Sequence, residues 1–225
     1  MTKNDMLKRY FLLIWGLFFN SLGVSLVTIA GLGSPPISSL PYVFSVKFPL
    51  TLGQFTVLLN VIMLIGQILI LKKDFKKIQF LQIPILFIFG LFIDLNMYVF
   101  SFLDSAHYGM KIVVLLLGCL SFGLGICIQI IANVVMLSAD GLVRAIAFKS
   151  KKEFGAVKTT FDISLVTLAF LLSFVFLGRI EGIREGTLIT AMTVGYFTTL
   201  FKKLFGTLSK TLSNIKIHKD VSERI

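Results

Sequence analysis

Charge is scarce in this 225-residue chain: Asp, Glu, Lys and Arg make up 15% of it, against about 25% in an ordinary soluble domain. The residues that usually carry metal or covalent chemistry are rarer still, with two cysteines and two histidines. Cys119 and Cys127 share one apolar segment. On a helix they lie about 12 Å apart along the axis, beyond the reach of a disulfide. His107 and His218 have no second His or Cys nearby, so no metal site is expected. No GxxxxGK[ST] phosphate loop, H-E-x-x-H or GxSxG motif occurs, and no arginine ladder. Those absences argue against ATP hydrolysis by a phosphate loop, zinc proteolysis, serine hydrolysis and voltage sensing. An enzyme is not expected, nor is any cofactor.

What the chain has in excess is apolar surface. Fifty-six per cent of it is apolar, 23 residues are phenylalanine, and the mean hydropathy is +0.92. A soluble domain has too few polar groups here to cover that surface, and disorder requires low hydrophobicity. Lipid must be part of the solvent. The net charge of +11 would suggest nucleic acid in a soluble protein. Here the basic residues fall between long apolar runs, which makes them a topology signal. Lys3, Lys8 and Arg9 precede an apolar stretch from Tyr10 to Ala30, too long for a cleavable signal. An uncleaved first span is expected.

Uncharged runs at 10–46, 48–71, 78–93, 112–139, 163–178 and 186–201 predict six membrane helices near 10–30, 52–71, 80–102, 111–135, 160–178 and 186–205. Of the 22 basic residues, 18 fall in the N-terminus, the 72–77 loop, the 137–159 segment and the tail. The other four are Lys47, Lys111, Arg179 and Arg184. That bias places both termini in the cytoplasm. One membrane domain spanning 1–225 is expected, with a first half over 10–102, a second over 111–205 and a basic tail at 206–225. The tail would meet anionic lipid or solvent.

Shifting the chain by 102 residues superposes Gly16 on Gly118, Gly23 on Gly125, Ala30 on Ala132, Leu40 on Leu142 and Gly53 on Gly155, among other identities. Each half holds three spans, an odd number, so the halves would be inverted in the membrane. Inverted repeats characterise many secondary transporters, whose sites lie at the repeat interface. The first run also overshoots one span. Its excess at 31–46 carries Pro35, Pro36 and Pro41, which are expected to break any continuous helix. It reads as re-entrant or as an outer loop. Its repeat counterpart is the segment around Asp140, with Ser38 over Asp140. The fold class is therefore all-α and polytopic, with interrupted or re-entrant segments after the first and fourth spans.

Polar residues inside apolar runs mark candidate sites. Asp94 lies near the middle of the third span, where an aspartate costs about 2.5–3.5 kcal/mol. It would carry a proton or cation, contact a solute amine, or make an interior hydrogen bond. Asp162 and its repeat counterpart Asn60 would face one central interface, although Asp162 also suits a helix first turn. Asp140 and Arg144 stand four apart, as a surface pair or in an inner vestibule. Gln129 and Asn133 are expected on one face of the fourth helix, bonding a neighbouring helix or a solute. Ser38 and Ser39 complete the candidate solute- or ion-binding set.

The stretches "GLGSPPISSLPYVFS", "LTLGQFTVLLNVIMLIGQILIL" and "FGLFIDLNM" resemble the YczE/YyaS/AitT family of bacterial integral membrane proteins. So do "IANVVMLSADGLVRAIAFK", "EFGAVKTTFD" and "IEGIREGT". The resemblance covers about 10–200. It implies a bacterial membrane protein of transporter type and no particular substrate. Relatives often carry glutamate where this chain has Asp140 and Gln129, which weakens any charged role for Gln129. The function expected is secondary transport of a small solute across the bacterial cytoplasmic membrane, with proton or cation coupling and no nucleic-acid partner. The alternatives are a solute-binding subunit of a multi-component transporter, or a membrane scaffold without transport.

Overall fold

The computed structural model describes residues 3–104 and 107–212. They form an all-helical chain of eight α-helices: α1 (Lys3–Ile29), α2 (Pro36–Lys47), α3 (Leu52–Leu71), α4 (Gln82–Val99), α5 (Tyr108–Ala132), α6 (Ser138–Ser150), α7 (Phe154–Leu177) and α8 (Glu185–Leu212). Short 3₁₀ turns precede and follow α4. Among the described residues, five segments are long and apolar enough to cross a membrane: 5–29, 52–74, 77–99, 108–132 and 154–177. In α8, Thr187, Thr190, Thr193, Thr198 and Thr199 dilute the apolar sequence. The basic tail beyond residue 212 lies outside the described residues.

Large apolar side chains cover much of the outside, and polar side chains are buried within an otherwise apolar core. Phe11, Leu91, Val175 and Met192 are exposed, whereas Asn20, Ser21, Ser25, Asn60, Gln67, Gln82 and Asn96 are buried. This arrangement suits lipid, where buried polar groups pair with one another. The protein is a multi-pass membrane protein.

Local sequence explains where the helices begin and end. Thr51 and Gln54 form a reciprocal capping box at the start of α3, which satisfies two backbone donors that would be orphaned at that end. Gly178, at φ +66°, closes α7. The fourth predicted span was expected to run to 135, but α5 stops at Ala132. Asn133 adopts φ +47° and caps it, a left-handed conformation that asparagine tolerates. Gln129 and Asn133 therefore do not share a helix face. Of the prolines of the 31–46 segment, Pro35 and Pro36 stand at the break between α1 and α2 as expected, whereas Pro41 departs from expectation. Pro36 sits in the first turn of α2 and Pro41 lies inside that helix, so Pro41 does not break it. Its cost is one missing bond to the Ile37 carbonyl one turn earlier, and burial of Ser38, Ser39, Leu40 and Val43 around it offsets that loss.

Two groups of helices form the interior. In the first, α1 packs on α4 and α5, and α5 on α8. In the second, α2 packs on α7 and α6 on α3. The α1–α5 seam is tight because glycines let the backbones meet. A Cβ on Gly23 would strike the backbone of Phe122, and one on Gly125 would strike Asn20. Likewise Gly16 faces Gln129 and Gly118 faces Val27. The pairings 16–129, 20–125, 23–122 and 27–118 run in opposite senses, so the two helices are antiparallel. Each contact has a partner in which both residues are moved by 102. The helix starts repeat at the same interval, at 36 and 138 and again at 52 and 154.

Candidate functional site

The α6 helix is thirteen residues long, too short to span a bilayer at about 1.5 Å per residue. No side chain of its own N-cap, Leu137, closes its first turn. Asn60 of α3 supplies the acceptor instead. Its Oδ1 receives the Ala139 N–H at 3.3 Å, while its Nδ2 donates to the Thr56 carbonyl at 2.9 Å. Asn60 stands at the middle of α3, so the start of α6 is held halfway along a helix long enough to cross the membrane. Further on, Gly141 lies against Gln67 and Leu142 against Gly66. Hence α6 runs alongside α3 in the same direction.

Beside this junction lies a charged triad. Lys158 Nζ is 3.2 Å from Asp140 Oδ1 on α6 and 3.0 Å from Asp162 Oδ1 on its own helix. The Asp162 Oδ1 atom is sealed from solvent and accepts no aligned hydrogen bond, so the Lys158 contact is an ion pair by distance alone. The three side chains keep 28%, 33% and 26% exposure. By helical rise, Lys158 and Asp162 lie about 6 and 12 Å from the start of α7. Charged groups inside a membrane-spanning segment face the bundle interior or a water-filled cleft and pair with each other. With all three groups ionised the cluster carries one net negative charge, so it can take up a proton or attract a cation.

A second polar cluster joins the start of α6 to α3 and α4. Ser138 Oγ donates to Gln82 Oε1 at 2.7 Å, Gln82 Nε2 to Gln67 Oε1 at 3.3 Å, and Gln67 Nε2 to Gln79 Oε1 at 3.1 Å. Ser138, Gln67 and Gln82 are buried. At the other short helix, Ser34 donates both its backbone N–H and its hydroxyl to the Gly182 carbonyl, each at 2.8 Å. The Gly186 N–H meets the Leu32 carbonyl at 2.7 Å, and Arg184 donates to the Gly31 carbonyl at 3.2 Å. Each short helix is thus anchored at its entry, α6 to the start of α4 and the middle of α3 and α2 to the loop before α8.

The structure joins Asp140 and Asp162 through Lys158 and sets Asn60 on the N–H of Ala139, the residue before Asp140. Ser38 and Ser39 are buried in the first turns of α2, and Ser39 Oγ donates to the Pro36 carbonyl at 2.7 Å. Asp94 is placed differently. Its Oδ2 accepts from Thr51 Oγ1 at 2.6 Å and its Oδ1 from the Gly53 N–H at 2.8 Å. It thereby fastens α4 to the start of α3, about two turns from Asn60. Gln129 donates to the Gly16 carbonyl at 3.3 Å across the α1–α5 seam, and Asn133 is exposed at the end of α5. Arg144 turns towards Met136, with Nη1 3.5 Å from its sulfur.

Sequence reasoning missed Lys158 as a site residue, although its i,i+4 spacing to Asp162 was readable. It also missed Gln67, Gln79, Gln82 and Ser138, whose only signal is an amide or hydroxyl in or beside an apolar run.

The family model of DUF6198, a family of unknown function, matches residues 7–203. The chain belongs to this family. An uncharacterised relative, YyaS of Bacillus subtilis (strain 168), is 33% identical over 190 residues, covering 83% of this chain and 88% of its own. That match agrees with the YyaS-type resemblance of the sequence motifs. No solved structure matches the chain.

Proposed function

We propose that this member of the DUF6198 family is a secondary transporter of a small solute in the bacterial cytoplasmic membrane. It would be built from two inverted halves, α1–α4 and α5–α8, with α1, α3, α4, α5, α7 and α8 as spans and both termini in the cytoplasm. The reciprocal antiparallel contacts of α1 and α5 support the two-fold relation. So does the matched bonding of Asn96 to Ser21 and of Thr198 to the Gly123 carbonyl, 102 residues on. In this reading α2 and α6 are half-helices entering from opposite faces.

The observation that carries the reading is the start of α6 held at the midpoint of α3 by Asn60. Half-helix termini near the midplane, at a repeat interface, are where secondary transporters bind solute and coupling ion. The Asp140–Lys158–Asp162 triad stands beside that terminus. Asp140 and Asp162 carry the coupling proton or cation, and Asn60 and Ser38 contact the solute. Asp94 serves as the structural tie between α3 and α4. Transport proceeds by rocking of one half against the other. The entry anchors Ser138–Gln82 and Ser34–Gly182 part in turn.

A thermal-shift screen of small amines and neutral polar solutes on the purified protein tests this. A bound solute at a hundred times its Kd stabilises by about 2.7 kcal/mol. Asp140→Asn is expected to abolish that shift. The bound solute is then expected to enter proteoliposomes under a pH gradient. Binding without uptake in proteoliposomes holding this chain alone would sink the transporter reading.

A further inference from the structure

We propose that the pocket between α6 and the start of α7 binds the phosphate headgroup of an anionic phospholipid. It is a cavity of about 530 Å³ lined by Met136, Arg144, Ala147, Phe148, Lys151, Lys152 and Phe154. Three of the seven lining residues are cationic and none is acidic.

Geometry divides the pocket into a charged part and an apolar rim. Arg144 is half-buried within it. Lys151 takes φ +54° to end α6, and Lys152 donates its backbone N–H to the Ala147 carbonyl at 3.1 Å. That turn puts two exposed lysines in the pocket lining. Phe148 and Phe154 stay 44% and 41% exposed beside them. A free phosphate has no use for two exposed aromatic rings at its binding site. A phospholipid does, because its glycerol and upper acyl carbons need apolar contact where its phosphate needs cations. The guanidinium matches phosphate oxygens in fork geometry, and the lysines add point charges.

Position in the chain agrees. The pocket closes where α7, a segment apolar enough to span a membrane, begins, so a bound headgroup lies at the level of the bilayer surface. The charge bias puts that surface in the cytoplasmic leaflet, where basic residues meet anionic lipid. This site requires membrane insertion but not transport, so it stands or falls apart from the proposed function.

The test uses the full chain in nanodiscs of phosphatidylcholine with or without phosphatidylglycerol, and reads lipid retention by native mass spectrometry together with the melting temperature. Wild type is expected to retain phosphatidylglycerol and to melt higher with it. The triple variant Arg144→Gln/Lys151→Gln/Lys152→Gln is expected to lose retention by on the order of a hundredfold, from roughly fivefold per basic residue near the surface. A control with the same charge change elsewhere, Lys72→Gln/Lys73→Gln/Lys76→Gln, is expected to keep it. Should the triple variant fold poorly in phosphatidylcholine, the single Lys152→Gln, at an exposed position, reads the same loss at roughly fivefold. Equal loss in pocket and control variants overturns the proposal, as does equal retention of both lipids. Inorganic phosphate that raises the melting temperature as far as phosphatidylglycerol does would also overturn it, in favour of a soluble anion.

Discussion

Gly125 of α5 lies directly against the backbone of Asn20 of α1, leaving no room for a Cβ. The counterpart of this contact, Gly23 against Phe122, lies 102 residues away in each partner. Glycine is required here by a close crossing and not by backbone conformation, since neither residue has positive φ. Gly125→Ala and Gly23→Ala are each expected to destabilise by about 1–3 kcal/mol, the usual cost of overpacking. At Gly195 on α8 a Cβ would meet nothing within 4 Å, so Gly195→Ala is expected to be neutral or slightly stabilising. Denaturant unfolding in detergent micelles checks all three, and equal effects would remove the special status of the seam.

The Asp94 carboxylate is expected to behave as a fastener. Both its oxygens are engaged at the start of α3, and hydrogen bonds to charged groups contribute about 1.5–3 kcal/mol. Asp94→Ala and Thr51→Ala should each destabilise, and the double variant should cost less than their sum. A double-mutant cycle reads the coupling, with about 1–2 kcal/mol expected. Additive losses would mean that the Thr51–Asp94 bond contributes little.

The sequence made six of the eight helices legible as uncharged runs, five of them long and apolar enough to cross a membrane. The 102-residue interval was legible too, since the glycines of the α1–α5 seam are among the residues that recur at it. The short helices α2 and α6 were visible only as interruptions. Pro41 argued against a helix by a local rule, and packing on α7 and α3 overrode it. Asp94 shows the general limit. Its depth says that a carboxylate needs a partner, but Thr51 is 43 residues away and no local pattern names it. Lys158 was hidden differently. Counted among basic residues on one side of the membrane, it read as topology, whereas its ammonium joins two helices. Amides such as Gln67 and Gln82 add no charge to an apolar run and leave only a faint trace.

Removing one member of the triad should cost more than removing all three. Lys158→Met leaves Asp140 and Asp162 without their shared cation. Fully buried pairs cost about 3–5 kcal/mol when broken. These side chains keep a quarter to a third of their exposure, so screening reduces the expected loss to about 1–3 kcal/mol. The triple variant Asp140→Asn/Lys158→Met/Asp162→Asn is expected to recover most of that stability and to remain unable to bind a cationic solute. Thermal unfolding and binding measured together separate the two roles. Retained binding in the triple variant would leave the triad a purely structural bridge.

The entry of α6 should act as a latch whose strength sets which side of the protein is open. Ser138 Oγ and the Gln82, Gln67 and Gln79 amides form one connected chain, and loss of one member leaves buried partners unsatisfied. Gln82→Leu removes both the acceptor for Ser138 and the donor to Gln67, at a cost of about 1–3 kcal/mol. If the closed arrangement is the one weakened, the open population rises, and about 1 kcal/mol corresponds to roughly fivefold. A single cysteine placed at Ala139, in a background with Cys119 and Cys127 replaced, reports that opening by its labelling rate. Membrane-impermeant reagent applied from the cytoplasmic face is expected to react roughly fivefold faster in the Gln82→Leu variant. Ser34→Ala, which weakens the opposite anchor at Gly182, is expected to slow it. Because the two substitutions should move one probe in opposite directions, a general loosening of the bundle cannot reproduce the result.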